Sequence, residues 1–574
     1  MLTVSDLCIE FDSPDGMKEV VRNANLKIKG KEIVAVVGES GAGKSTIGNA
    51  IAGMIAPPGK ITAGDIKFNG TFLGRLSDKE YEDIRGNEIA CIFQNPMTAL
   101  NPLETVGRQI IETPMAKLAL TRQDATVKAK SLLSQVGFDD PERIMSSYPH
   151  ELSGGMLQRA VIAIALSCDP SLLIADEPTT ALDVSLRSEI VSLLSKIAEE
   201  KGIGVLLITH DMGVVCEAAH RIYIMRRGEI VEQGNADDIL AAPQHAYTRN
   251  LIKSVPTNTG KNNRMYEPEP SEQSEENFLS LFRTAGSGKP LKPVKKAPEF
   301  GVCVKDLSVS FSLSRGLSGI SSKKMFNALN SVSFDIPQGC VFGVVGGSGS
   351  GKTTLARVIA GLQAPTTGQV DFSKFHRTAD AAKHHHERSS VQMVFQNPYA
   401  SLNPRHTVLR QLTEAPINVR KMQHDEAEER ARKLIEAVGL SAQDLKKHPH
   451  AFSGGQLQRI SIARALSMEP TLLICDEPTS ALDVTVQASV LNLLKDLNEK
   501  LGLTIVFISH DLPVCRHMCD HIIVMNNGAI CEQGDALKIL DAPQHPFTQH
   551  LIDSAPTFKP PGLNKDQLYS NTAP

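Results

Sequence analysis

Two stretches of this chain, GESGAGKST (Gly38 to Thr46) and GGSGSGKTT (Gly346 to Thr354), fit the spacing G-x-x-x-x-G-K-[ST]. Glycines at Gly38, Gly41 and Gly43, and at Gly346, Gly349 and Gly351, let backbone N–H groups converge on an anion. Lys44 and Lys352 are the expected cations for the terminal phosphate oxygens, and Ser45 and Thr353 the hydroxyls for Mg²⁺. Ser40, Thr46, Ser348 and Thr354 fall in the same cradles and are counted with them as nucleotide-binding candidates. A chance glycine turn is the bland alternative, and two such turns, each after an apolar run, argue against it.

Two further apolar runs end in carboxylates, LLIADE at Asp176–Glu177 and LLICDE at Asp476–Glu477. A carboxyl end of a buried strand beside a phosphate loop is where such chemistry gathers. Asp176 and Asp476 suit an indirect, water-mediated hold on Mg²⁺. Glu177 and Glu477 suit polarising an attacking water, a role that brings about 10²–10⁴-fold in rate. Capping of the next turn is the structural alternative. His210 and His510 each follow another buried strand and precede Asp, a place for a loop cap or for a group that contacts a γ-phosphate. Gln94 and Gln396, in IFQNP and VFQNP, are candidates to add an oxygen to the metal and water network.

A second kind of glycine turn occurs in HELSGGMLQR and AFSGGQLQRI. Ser153–Gly154–Gly155 and Ser453–Gly454–Gly455 each precede an apolar-rich helical stretch. A serine-capped helix N-terminus offers backbone N–H groups, a hydroxyl and the positive dipole end to an anion. Each half already has its own loop for the α- and β-phosphates. The spare turn is most useful if it closes on the γ-phosphate held by the other half.

The elements that must carry these groups repeat. SLLIADEPTTALDV returns as TLLICDEPTSALDV 300 residues later, and APQHAYTRNLIKSVPT returns as APQHPFTQHLIDSAPT. Two homologous units therefore stand head to tail, over 1–256 and 301–557, with a tail at 558–574. EIVAVVG, LLIAD and VLLIT are continuous apolar runs of strand length, as expected for parallel strands buried on both faces. A polar, helix-prone stretch over about residues 105–143 reads as a helical insertion. Residues 257–300 are rich in Pro, Gly, Ser, Glu and Lys and read as a flexible linker, in which FLSLF is the one apolar island. As a coil those 44 residues would span roughly 33–40 Å.

Bulk properties exclude several classes. The chain has 574 residues, 41% hydrophobic, with a formal net charge of -4, so no basic excess points to nucleic acid. No basic, apolar, small-residue leader opens the sequence, and runs such as AVIAIAL are far short of the roughly 20 residues of a membrane helix. Ten cysteines are scattered singly, as in a reducing cytoplasm. Cys91 and Cys475 are expected as small core thiols, Cys515 and Cys519 as a structural pair, and His384–His386 as a solvated loop.

Taken together these elements resemble the ATP-binding cassette family: phosphate loop, glutamine loop, SGG signature, Asp–Glu strand end, ALD turn and switch histidine. The resemblance covers both halves. It implies an α/β fold of two P-loop NTPase domains in tandem, each a mostly parallel sheet core with an antiparallel β subdomain and a helical subdomain. It further implies a head-to-tail sandwich with two ATP molecules. One site would pair Gly38–Thr46 with Ser453–Gly455, the other Gly346–Thr354 with Ser153–Gly155, and Asp183 and Asp483 would couple them. An aromatic residue stacks on adenine in this family. Phe11 is the candidate in the first half, and Phe311 or Phe326 in the second.

ELSGGMLQR, AFSGGQLQR, FQNPMTALNP, FQNPYASLNPR and the QHAYT and QHPFT endings are similar to the two ATPase subunits of peptide importers, here fused in one chain. That branch implies two membrane permeases, a binding protein outside the membrane, and a peripheral position on its cytoplasmic face. Pro96–Val106 and Pro398–Val408 are then expected to receive the permeases. Many members carry a cysteine-rich iron–sulfur segment, which neither half has, so no such cofactor is expected. Two other readings compete, a soluble twin-cassette ATPase that remodels ribosomes or DNA, and a fused sugar-import ATPase. The first usually shows a long charged helical linker or zinc cysteine pairs. The second usually loses catalytic residues in its second cassette, whereas Glu477, His510 and Ser453 stand intact.

Overall fold

Apolar runs without polar alternation must be covered on both faces, and each half of the chain does so with a six-stranded sheet. The computed structural model describes residues 1–13, 16–179, 182, 184–255, 265, 300–313, 324–372, 390–480 and 482–555. The described residues fall into two compact units, Met1–Val255 and Pro256–Ala555.

In the first unit the sheet runs, in spatial order, Glu229–Asn235, Arg221–Arg226, Ile33–Val37, Gly204–Thr209, Leu172–Asp176 and Ile89–Ile92. All neighbours are parallel except the first two. Ile33–Val37 is buried throughout and lies between Gly204–Thr209 and Arg221–Arg226. The phosphate loop therefore leaves the sheet from an interior strand. A four-stranded antiparallel sheet, led by Leu2–Ser13 paired with Gly16–Ile28 and Gly59–Phe68, shares a hydrophobic core with one face of it. The other face packs on helices, including Val106–Lys117, Arg122–Gln135 and Gly154–Ala165. The helix-prone stretch over about 105–143 is thus a helical layer.

The second unit repeats the plan with Val391–Val394, Leu472–Asp476, Thr504–Ser509, Val341–Gly346, His521–Asn526 and Ala529–Asp535. The registers match. Val36 pairs with Tyr223 in one sheet, and Val344 pairs with Ile523 in the other. Its antiparallel sheet has three described strands, Lys324–Pro337, Phe300–Leu313 and Thr367–Asp371.

All ten cysteines are free. Cys475 is wholly buried and Cys91 is half-buried against the core of the antiparallel layer. Cys515 and Cys519 are buried together, and a Cβ on Gly343 would sit 2.7 Å from Cys519 Sγ, so this pair fills the space over a sheet glycine. Among the described residues no helix is long and apolar enough to cross a membrane. FLSLF and His384–His386 lie outside the described residues.

Candidate functional site

Each phosphate loop is shaped by glycines in conformations that other residues avoid. Gly41 and Gly43 have φ of 79° and 100°, and Gly349 and Gly351 have 76° and 100°. A Cβ on Gly43 would stand 2.7 Å from Val20 O, and one on Gly351 2.5 Å from Ala328 O. The loop must therefore be glycine where it passes the antiparallel sheet. Helices Lys44–Ile51 and Lys352–Ile359 begin at the lysines, so their first N–H groups and dipoles are at the loop. Lys44 Nζ donates to Gly38 O and Glu39 O, both at 2.8 Å. Lys352 Nζ donates to Gly346 O at 2.8 Å and Gly347 O at 2.7 Å. Carbonyls of its own loop hold each buried ammonium across the cradle.

The Asp–Glu strand ends lie where the sequence predicts. Ser45 Oγ donates to Asp176 Oδ1 at 3.0 Å, and Thr353 Oγ1 to Asp476 Oδ1 at 3.4 Å. Burial first, and then the adjacent glutamate's charge, push both aspartates above their ordinary range, Asp476 to about 6. Crowded carboxylates beside a hydroxyl form an oxygen-only donor set, and a divalent cation would relieve the crowding. These residues fit Mg²⁺.

The glutamates sit in a short hydrogen-bonded chain. Gln94 Nε2 donates to Glu177 Oε2 at 2.7 Å, while His210 Nδ1 lies 3.0 Å from Glu177 Oε1. Gln396 donates to Glu477 Oε2 at 2.7 Å, and His510 Nδ1 lies 3.2 Å from Glu477 Oε1. Burial works against a charged Glu477, but His510, Lys352 and Gln396 outweigh it and hold the carboxyl below its ordinary value. Burial likewise works against the His210 imidazolium, and the bond and charge from Glu177 outweigh it, raising that pKa. Both glutamates adopt left-handed backbone, with φ of 47° and 46°. A non-glycine residue there costs about 1–3 kcal/mol and persists only when its surroundings impose it. The strain turns each side chain off the strand end toward Gln and His.

The SGG turns are serine-capped helix starts. Ser153 Oγ accepts from Met156 N and Ser453 Oγ from Gln456 N, both at 3.4 Å. The two glycines of each turn differ in purpose. A Cβ on Gly155 would meet Leu186 at 2.6 Å, and one on Gly455 would meet Val486 at 2.3 Å, so these permit packing on the following helix. Gly154 and Gly454 have nothing within 4 Å of such a Cβ. Their side of the turn is open to an approaching anion.

Other sequence candidates are placed less tellingly. Phe11 packs into the core of its own unit, its ring over Gly59, while Phe311 and Phe326 are cross-strand partners, 41% and 51% exposed. Asp483 caps Val484–Leu501 through Val486 N at 2.9 Å, and Asp183 lies outside the described residues.

Sequence reasoning missed two braces. Tyr247 Oη accepts from Glu39 N at 3.2 Å, tying QHAYT back to the first phosphate loop. Phe547 holds that place in the second unit, without a hydroxyl. Arg159 donates to Val136 O at 2.8 Å and forms an ion pair with Glu189, joining the helical layer to the helix behind the strand end. The repeat of QHAYT as QHPFT was the available signal for the first.

Matching to protein families agrees with this geometry. The ABC transporter family model matches residues 21–180 and 329–480, and the chain belongs to that family. It is an ATP-binding protein and an ATPase. The oligopeptide/dipeptide transporter C-terminal region matches at 231–286 and 531–573.

Among curated relatives, a glutathione import ATP-binding protein of Salmonella typhimurium is 39% identical, over 98% of this chain and 90% of its own length. The protein of that description in Escherichia coli K12 is 38% identical, with the same coverage. Two solved structures share the fold, each covering 92% of this chain and 90% of its own: an RNase-L inhibitor (21% identical, TM-score 0.58) and an archaeal ribosome recycling factor crystallised with a ribosomal stalk protein (20%, TM-score 0.57).

Proposed function

We propose that this chain is the fused ATPase of an importer for short peptides of the glutathione kind. The observation that carries the reading is the Gln–Glu–His chain, present at both strand ends beside both phosphate loops. Two such sites support hydrolysis in both cassettes. The cassettes comprise residues 1–256 and 301–557, joined by 257–300 and followed by a tail at 558–574. Similarity to the glutathione import proteins over nearly the whole chain supports the cargo class. The likeness to the ribosome recycling factor, at 20% identity, is one of fold alone.

In each site Lys44 or Lys352 neutralises the terminal phosphates, and Ser45–Asp176 or Thr353–Asp476, with Gln94 or Gln396, would hold Mg²⁺. The metal supplies charge stabilisation of the transferring phosphoryl group. Glu177 and Glu477 polarise the attacking water, and His210 and His510 fix their carboxylates and report the γ-phosphate. The cassettes pair head to tail, so that Ser453–Gly455 completes the Lys44 site and Ser153–Gly155 the Lys352 site.

Two membrane permeases dock on the segments after the glutamines. Support comes from apolar side chains left in water there, Met97 56% exposed, Leu103 84% and Tyr399 56%. The chain works as a peripheral protein on the cytoplasmic face, and a binding protein outside delivers cargo to the permeases. The test is uptake of labelled glutathione by a strain lacking the chain. Wild type should restore uptake, and a Lys44→Ala/Lys352→Ala double variant should not. Uptake that is unchanged by deletion, with labelled dipeptide uptake lost instead, would overturn the glutathione assignment.

A further inference from the structure

One polar side chain buried in the second unit serves no part of the nucleotide site. Asn492 is 1% exposed, midway along helix Val484–Leu501. A primary amide so placed needs partners for both its oxygen and its nitrogen. Both come from the main chain of a single residue far away in sequence. Met265 N donates to Asn492 Oδ1 at 3.1 Å, and Asn492 Nδ2 donates to Met265 O at 2.9 Å. The Met265 side chain packs against the hydrophobic core of that unit. Paired donor and acceptor contacts to one residue's backbone are how a side-chain amide reads a peptide, while the half-buried thioether adds apolar area and fixes the register.

The internal repeat provides a control. Ser192 occupies the equivalent position on helix Val184–Lys201 of the first unit and is exposed. Helix, sheet register and strand ends repeat between the units, but the amide does not. We infer that Asn492 and the core beside it form a peptide-holding notch in the second cassette, and that its occupant is Met265 of the same chain. The anchor sits midway along the helix that Asp483 caps.

Chain length gives the anchor a consequence, which rests on the proposed pairing of the cassettes. Without it, 44 residues (257–300) separate them. With it, ten residues lead from Val255 to Met265, and these cannot reach beyond about 33–36 Å even fully extended. For coil-like spacers long enough to span the two sites, effective concentration falls as about the −3/2 power of length, so wherever ten residues reach, anchoring raises it up to about ninefold. The notch turns a long tether into a short one without shortening the chain.

Hydrogen exchange on the full-length, nucleotide-free protein tests the anchor, read at the Met265 amide by fragmentation mass spectrometry. Asn492→Leu keeps the side-chain size and removes both polar groups. Two hydrogen bonds of ordinary net strength predict exchange about ten- to a hundredfold slower in wild type than in the variant. The Thr504–Ser509 strand should stay protected in both, showing that the variant is folded, and if that control fails Asn492→Ser, which installs the residue of the equivalent position in the first unit, gives the same comparison. Equal Met265 exchange in wild type and a folded variant would overturn the anchor. Protection that fades on dilution would overturn it as an intrachain contact by assigning the occupant to a second copy. Because no nucleotide is present, loss of cassette pairing in a Lys44→Ala/Lys352→Ala protein leaves this signal unchanged, so the two ideas fail separately.

Discussion

Glu477→Gln isolates the chemistry of one site with little change of shape. The carboxylate accepts from Gln396 at 2.7 Å and lies 3.2 Å from His510 Nδ1, and those neighbours with Lys352 keep it charged. A glutamine has the same reach and tolerates the same left-handed backbone, so the strain of about 1–3 kcal/mol at this position is unchanged. It keeps one acceptor oxygen and loses the negative charge and the ability to take a proton. General-base catalysis contributes about 10²–10⁴-fold, or about 3–5 kcal/mol of barrier. Lys352 and Thr353 are untouched, so ATP affinity should hold within about twofold. Phosphate release at saturating Mg·ATP should fall at least about 10²-fold in Glu477→Gln, and equally in Glu177→Gln if the sites pair as proposed and share one cycle. A single variant that turns over at the wild-type rate would refute the claim that its site is used.

Two further outcomes follow from the loops and the histidine. Gly43→Ala and Gly351→Ala should each weaken ATP binding at least about tenfold by calorimetry. The new Cβ meets backbone at 2.7 and 2.5 Å in a left-handed turn, a penalty of about 1–2 kcal/mol before the clash is counted. His210 has a folded pKa raised above its ordinary 6.5. Its pairing with Glu177 therefore stabilises the nucleotide-free chain fully below pH 6.5, and the contribution is lost as pH rises through the folded value. The melting deficit of His210→Asn relative to wild type should be larger at pH 6 than at pH 8.5, and equal deficits would contradict the pair.

The parts of the site legible in the sequence are those where a short run dictates both residue type and backbone. Gly41, Gly43, Gly349 and Gly351 are needed locally because φ is positive there, and Asp176 and Asp476 end strands announced by unbroken apolar runs. Serine before a helix is equally local, and Ser153 and Ser453 cap as expected. Contacts made through tertiary packing left no such trace. Nothing in DEPTT announces φ of 47° at Glu177, which the Gln94 and His210 contacts and the strand exit impose. Tyr247 reaches Glu39 across 208 residues, and Asn492 reaches Met265 across 227, distances over which no spacing rule operates. Adenine stacking falls between these cases. Cross-strand pairing puts Phe311 opposite Phe326, while Phe11 is taken up by its own core.

The central claim is that two intact ATP sites are each completed by the other cassette's SGG turn, and nucleotide trapping in a Ser453→Arg variant tests it most directly. Arginine at that cap puts bulk and charge where Gly454 leaves the turn open. Loss of an aligned donor to developing charge commonly costs about 10²–10³-fold, well above background. After trapping of a photoreactive ATP analogue and proteolysis within residues 257–300, label should be depleted from the N-terminal half, which carries Lys44, and persist on the C-terminal half. Depletion confined to the C-terminal half would mean that each turn serves its own loop, and the paired-site account would be wrong.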